Sequence, residues 1–309
     1  MNAEIQTIRF DETVPRIREG SVRGRGLSGK DGGRVQAVMY PFDLKVPGLN
    51  FRFSYDRVAD GFFSPRHRHN FDQFRYVVSG TVNIGKGVTL KQGECGYFPE
   101  GTFYGPQQQE GDGEALVVQF PGPQGAQFIG PADFKIGAAK LLAEGGIFEN
   151  GIYQKTLEDG HHFNQDGFEA VWESFTGKPV HYVAPRYAEP VIMKPEGFRW
   201  VPDPKRPGLD VKKLGTFNEY STSLSQWRLA PNTVLPGEML AAPQLRFVTR
   251  GEVSYGGKQL PERSAICVPD GVKSGPLESR NGAEILVIDV PMYVASVWQQ
   301  VREQAAAQA

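Results

Sequence analysis

The chain of 309 residues carries 34 Lys and Arg against 35 Asp and Glu, a net charge of −1, with 39% hydrophobic and 22% charged residues. That balance excludes an electrostatic case for nucleic acid or an anionic membrane surface, and the length suffices for two modest domains with real cores. No apolar run reaches the length of a membrane span and the opening MNAEIQTIRFDETVPR lacks a signal-peptide core, so a cytoplasmic protein is expected. In chain order, residues 1–39 are a glycine-rich arm. Its Arg16, Arg18, Arg23, Arg25, Lys30 and Arg34 read as a solvated face, with a subunit contact as the alternative. Residues 40–125 are dense in turn signals, as is the rest of a chain with 37 glycines and 23 prolines, and short strands joined by tight turns are expected.

The most informative stretch lies there, GFFSPRHRHNFDQFRYVVSG from Gly61, followed by GECGYFPEGTFYGP from Gly93. His67 and His69 are two apart, so on extended backbone both imidazoles reach the same side and can share one metal ion. Gln73 and Arg75 repeat that parity, whereas Asp72 has the opposite parity and is expected to point outward. Phe62, Phe63, Phe71 and Phe98 are candidate apolar walls, and Phe103 beside Tyr104 makes an aromatic lining credible there. Cys95, and Cys267 further on, make no disulfide framework and read as small buried apolar residues.

These two stretches resemble the paired motifs of the cupin superfamily, G(x)5HxH(x)3-4E(x)6G and G(x)5PxG(x)2H(x)3N. The glycines, Pro99 and the first two histidines fall in place. Gln73 stands where the family has glutamate, Tyr104 where it has the third histidine, and Gln108 where it has asparagine. The resemblance implies an all-β fold of double-stranded β-helix (jelly-roll) barrels and a metal site on His67 and His69, with Gln73 assisting.

Residues 126–190 read as a partly helical connector. PADFKIGAAKLLAE follows a proline start and is stopped by Gly145-Gly146, and DGFEAVWESFTG puts Phe168, Val171, Trp172 and Phe175 on one helix face, suited to core packing. His161 and His162 in a glycine-rich turn read as solvated, and nothing specifies a role for His181.

Residues 191–292 repeat the first barrel at an offset of about 170. QFRYVVSG at 73–80 matches QLRFVTRG at 244–251, PEGTFYGP matches PDGVKSGP, and LVVQFP matches LVIDVP. Glu238, Leu240 and Ser274 fall where the first copy has His67, His69 and Tyr104, so the second barrel is expected to be structural. Gln244 and Arg246 mirror Gln73 and Arg75, which leaves two roles open for each member of the first pair. Gln73 is either a weak amide ligand or a structural group, and Arg75 either clamps a substrate carboxylate or forms a structural ion pair. Residues 293–309 close the chain with Val294, Val297, Trp298 and Val301 on one helix face.

The expected chemistry follows from the donors. Two imidazoles and an amide leave a divalent ion's charge almost uncompensated, which favours an anionic, chelating small-molecule substrate. Fe(II) is the first expectation, with Mn, Ni or Zn as alternatives. The leading activity is a cupin-type dioxygenase. A lyase or isomerase using Tyr104 as acid/base comes second, and a non-catalytic small-molecule-binding cupin third. Tyr104 is an acid/base, a lining residue or, after losing its proton, a ligand. A homo-oligomer without nucleic-acid or membrane partners completes the expectation.

Overall fold

The structure is a computed structural model that describes residues 4–18, 37–46, 49–123, 128–149 and 151–290. The expected C-terminal helix and Arg23, Arg25, Lys30 and Arg34 lie outside the described residues. Among those described, no helix is long and apolar enough to cross a membrane.

The chain opens with β1 (Gln6–Ile8), β2 (Arg16–Arg18), β3 (Ala37–Pro41) and β4 (Arg52–Val58). The motif region supplies β5 (Phe63–Ser64), the long β6 (Phe71–Gly85), β7 (Val88–Lys91), β8 (Cys95–Phe98), β9 (Gln107–Gln108) and β10 (Gly113–Pro121). β6 pairs antiparallel with β8 and β10, placing Gln73 opposite both Phe98 and Gln119, and Arg75 opposite Gly96 and Val117. Alternation along β6 sends Gln73, Arg75 and Val77 one way and Asp72 and Phe74 the other. Val77, Val82, Ile84, Leu90, Phe98, Tyr104, Ala115 and Val117 form one buried cluster, which is the barrel's interior. The motif glycines have steric reasons. Gly80 and Gly101 sit at φ 65° and 78°, and a Cβ there would run into the carbonyls of Asp112 and Val183.

The connector begins with α1 (Pro131–Ala143), continues through a three-stranded meander of β11 (Ile147–Glu149), β12 (Ile152–Thr156) and β13 (His162–Asp166), and ends in α2 (Gly167–Thr176). Pro131 opens α1 at a position where its missing N–H costs nothing. Asp166 caps α2 by accepting from the amides of Phe168 and Glu169, and Gly177 ends it in the left-handed region. Phe168, Val171 and Trp172 are buried with Phe71, Phe128 and Leu141, whereas Phe175 is 37% exposed, off the buried face expected for it. The helices pack closely because Gly137 has no side chain to strike the Val171 carbonyl. β14 (Val191–Met193) then joins the first sheet, whose order is β14-β8-β6-β10-β4-β3-β2.

The second barrel comprises β15 (Val201–Pro202), β16 (Leu209–Thr216), β17 (Ser223–Leu229), β18 (Thr233–Leu235), β19 (Gln244–Tyr255), β20 (Lys258–Pro261), β21 (Ala265–Val268), β22 (Leu277–Ser279) and β23 (Ala283–Asp289). Its main sheet runs β1-β21-β19-β23-β17-β16-β15. β1 therefore belongs to the C-terminal sheet, with Gln6 opposite Cys267. The segment read as an arm contributes strands to both barrels. One compact unit holds the described parts of 15–41 and 51–192, and the other holds the described parts of 1–14, 42–50 and 193–309. Both cysteines are fully buried free thiols. Burial pushes both thiol pKa values up, Cys267 to about 12, which makes them inert at neutral pH.

Candidate metal centre

The HRH segment is extended but is held by a single bridge rather than a ladder. His67 and Tyr104 exchange backbone hydrogen bonds of 3.0 and 2.9 Å, and the His69 carbonyl accepts from Gly101 N at 2.8 Å. The alternation expected from the sequence holds. His67 and His69 face one side with ring centres 5.0 Å apart, while the intervening Arg68 stacks on Phe103 and Tyr182. Arg66 covers the same Phe103 ring, so Phe103 faces outward and does not line the pocket.

Tyr104 joins the two imidazoles. Its ring lies 4.3 Å from that of His67, and its hydroxyl is 2.8 Å from His69 Nε2. Arg75 Nη2 donates to the same hydroxyl oxygen at 3.2 Å. His67 Nδ1 is 2.7 Å from the Pro65 carbonyl. A carbonyl only accepts, so Nδ1 carries the proton and the lone pair sits on Nε2, the tautomer of a metal-ligating histidine.

The Gln73 amide, assigned from its surrounding donors and acceptors, turns its oxygen to Arg75 Nε (3.0 Å) and Nη2 (3.3 Å), with its amino group 2.7 Å from the Gln119 amide. The second barrel imposes the same orientation. Gln244 Oε1 accepts from Arg246 Nε at 2.6 Å, and Gln244 Nε2 donates to Asp289, whose carboxylate only accepts, at 2.7 Å.

Three features escaped the sequence reading. Arg52, Ser54 and Asp56 of β4 are all buried in a network. Arg52 Nε donates to Ser54 Oγ (2.9 Å), Ser54 Oγ to Asp56 Oδ1 (2.7 Å), and Arg52 Nη2 pairs with the Asp56 carboxylate. Arg52 Nη1 lies 3.5 Å from the Gln119 amide, so polar groups run from Asp56 through Gln119, Gln73 and Arg75 to Tyr104 and His69. The alternation in RFSYDRV was the available signal, with polar Arg52, Ser54 and Asp56 on one parity and Phe53 and Tyr55 on the other. Second, α2 reaches the site. His69 stacks on Phe71 at 4.2 Å, and Phe168 meets His69 edge-on at 5.7 Å. Third, Asp72 has the expected outward parity but is fully buried, accepting from Tyr97 Oη (2.6 Å) and Glu100 N (2.9 Å). Burial and the Asp72 charge push the Tyr97 phenol far above its usual range. His161 lies beside Asp159, exposed, and His162 beside Thr156.

A metal fits part of this arrangement. Two donors each about 2.1 Å from one ion, at right angles, lie roughly 3 Å apart. The His69–Tyr104 separation of 2.8 Å is close to that spacing. The donor set is nitrogen-rich and suits Fe, Mn, Ni or Zn rather than Mg or Ca. Among the described residues no cluster of three or more His, Cys, Asp or Glu accompanies the pair, so any third donor is the Tyr104 oxygen or an amide.

Solved structures match the chain over 94% of its length. The putative dioxygenase of Nostoc punctiforme PCC 73102 does so at 10% identity with a TM-score of 0.62, covering 85% of that protein. The putative glyoxylate-induced protein of Pseudomonas aeruginosa gives 10% identity and 0.56 over 89% of its chain. Oxalate decarboxylase of Bacillus subtilis gives 13% and 0.53 over 79%. The fold is a bicupin. At such identities the likeness speaks to the fold alone. No family model matches this chain, and no curated protein does so either.

Proposed function

We propose that the N-terminal barrel binds one divalent transition metal through His67 and His69, and that the protein is a metal-dependent cupin enzyme. Fe(II) is the first choice, with Mn, Ni or Zn as alternatives. The reaction assigned is oxidative cleavage of a small, anionic, chelating organic substrate. The supporting observation is the pairing of two buried imidazoles, one fixed as an Nε2 donor by Pro65, with a phenol oxygen against His69. An ion held there supplies Lewis acidity and, if it is iron, a means of activating oxygen.

The chain's own residues do the rest. Arg75, its Nε and Nη2 facing Gln73 and Tyr104, is placed to bind a carboxylate or enolate oxygen. Tyr104, between Arg75 and His69, holds a proton it can give to or take from substrate. Gln73 stays in the proposed donor set as a weak amide ligand that must release Arg75 to act. Phe71 and Phe168 keep water from the His69 side. The Mn(II) centres of the Bacillus subtilis oxalate decarboxylase give manganese its place among the alternatives.

The test is elemental analysis of protein prepared with each metal in turn. The wild type should carry close to one ion per chain, and His67→Ala/His69→Ala should carry almost none while keeping its β-sheet circular dichroism. Retention of stoichiometric metal by the folded double variant would defeat the assignment. Oxygen uptake by the Fe(II)-loaded protein separates oxidative cleavage from a lyase or isomerase reaction.

A further inference from the structure

The second barrel contains a buried cation whose surroundings leave it half satisfied. Arg246 has the parity of Val248 on β19 and so points into the barrel, and the residue is 2% exposed. Its Nε is taken by Gln244 Oε1, and Gln244 is anchored by Asp289, which in turn accepts from Ser223 Oγ at 2.7 Å. Nη1 and Nη2 meet no acceptor among the described residues. In the first barrel Arg75 Nη2 donates to the Tyr104 hydroxyl, but Ser274 stands in the tyrosine's place and is already engaged. Its hydroxyl accepts from Glu238 N at 3.0 Å, and its carbonyl accepts from Tyr255.

The neighbours define what would complete the arginine. The Trp227 ring faces the Arg246 guanidinium at 5.1 Å, and Arg206 lies over the same ring at 4.7 Å. Arg206 is compensated, by Asp203 at 2.7 Å and Glu238 at 3.1 Å. Arg246 has no such direct ion pair: Glu238 and Asp289 favour its charge only from a distance, and its guanidinium borders the apolar cluster of Trp227 and Tyr255, against which Leu240 packs. Burial lowers its pKa to about 10, which leaves it charged at neutral pH. Terminal amino groups left without an acceptor in a buried guanidinium are costly, and they match the two oxygens of a carboxylate.

We propose that the C-terminal barrel is a binding site for a small monocarboxylate, held by Nη1 and Nη2 of Arg246 with the flat or apolar body of the ligand against Trp227. A dianion is disfavoured, because the second nearby cation already has two carboxylate partners. The site is independent of the metal centre, and it gives the barrel that lacks the histidines a ligand of its own.

Benzoate binding to the EDTA-treated full-length protein, followed by calorimetry, tests this. Benzoate binding is expected to lose affinity roughly tenfold or more in Arg246→Met and to be unchanged in Arg57→Met, a surface arginine outside both barrel interiors. Should Arg246→Met fail to fold, Arg246→Lys decides. It keeps the charge but loses the fork, so weakened binding supports the site and unchanged binding overturns it. Absence of benzoate binding to the wild type at millimolar concentration also overturns it, as does binding removed by Arg75→Met but not by Arg246→Met.

Discussion

Arg75 and Arg246 hold the same place in the two halves of the repeat, yet they point at different company. Arg75 lies against Tyr104, next to His69, in an interior that also holds the Arg52–Ser54–Asp56 network. Arg246 lies against an indole, and Trp227 occupies the β17 position that corresponds to Asp56 on β4. The glutamine clamp on the guanidinium is common to both. The duplication thus kept the device that orients an arginine and changed the groups the arginine faces. Orientation of a cation is a property of this scaffold, and chemistry is set by what the remaining inward positions of the barrel carry.

Three substitutions sharpen or break that contrast. The largest effect is expected from Asp56→Leu, which strands Arg52 in the interior and should lower unfolding free energy by about 3–5 kcal/mol in urea denaturation. Arg52→Met/Asp56→Leu should recover most of that loss. If the single change costs no more than a surface substitution, the network does not hold the first barrel together. Next comes Tyr104→Phe, which takes a partner from both His69 and Arg75 and should cost about 1–3 kcal/mol, with a fall in turnover if the phenol carries a proton. Normal turnover and stability in that variant would leave Tyr104 as lining only. Ser274→Ala should be mildest, about 0.5–1.5 kcal/mol, because its hydroxyl serves one backbone amide. A cost matching that of Tyr104→Phe would erase the distinction between the two interiors.

The repeat and the fold were legible because turn glycines and the inward alternation of β6 and β19 are local features of the chain. The histidine pair was legible for the same reason, a spacing of two on extended backbone. The network on β4 was not, since Phe53 and Tyr55 on its other face are buried as well. Alternation shows that two faces differ, but which face is the interior depends on distant strands. Asp72 illustrates the same limit, with parity read correctly and burial supplied by elements remote in sequence. The meander in the connector gave little signal, because the exposed HFNQD of β13 has few residues that favour strands.

The position of β1 has a consequence for synthesis. Gln6 leaves the ribosome long before its pairing partner Cys267. Until the C-terminal sheet exists, this strand has no ladder to join, and closing so long a loop is intrinsically slow. Nascent chains arrested before Ala265 are expected to remain cleavable by protease near residues 6–8, and chains extended beyond Asp289 to be protected there.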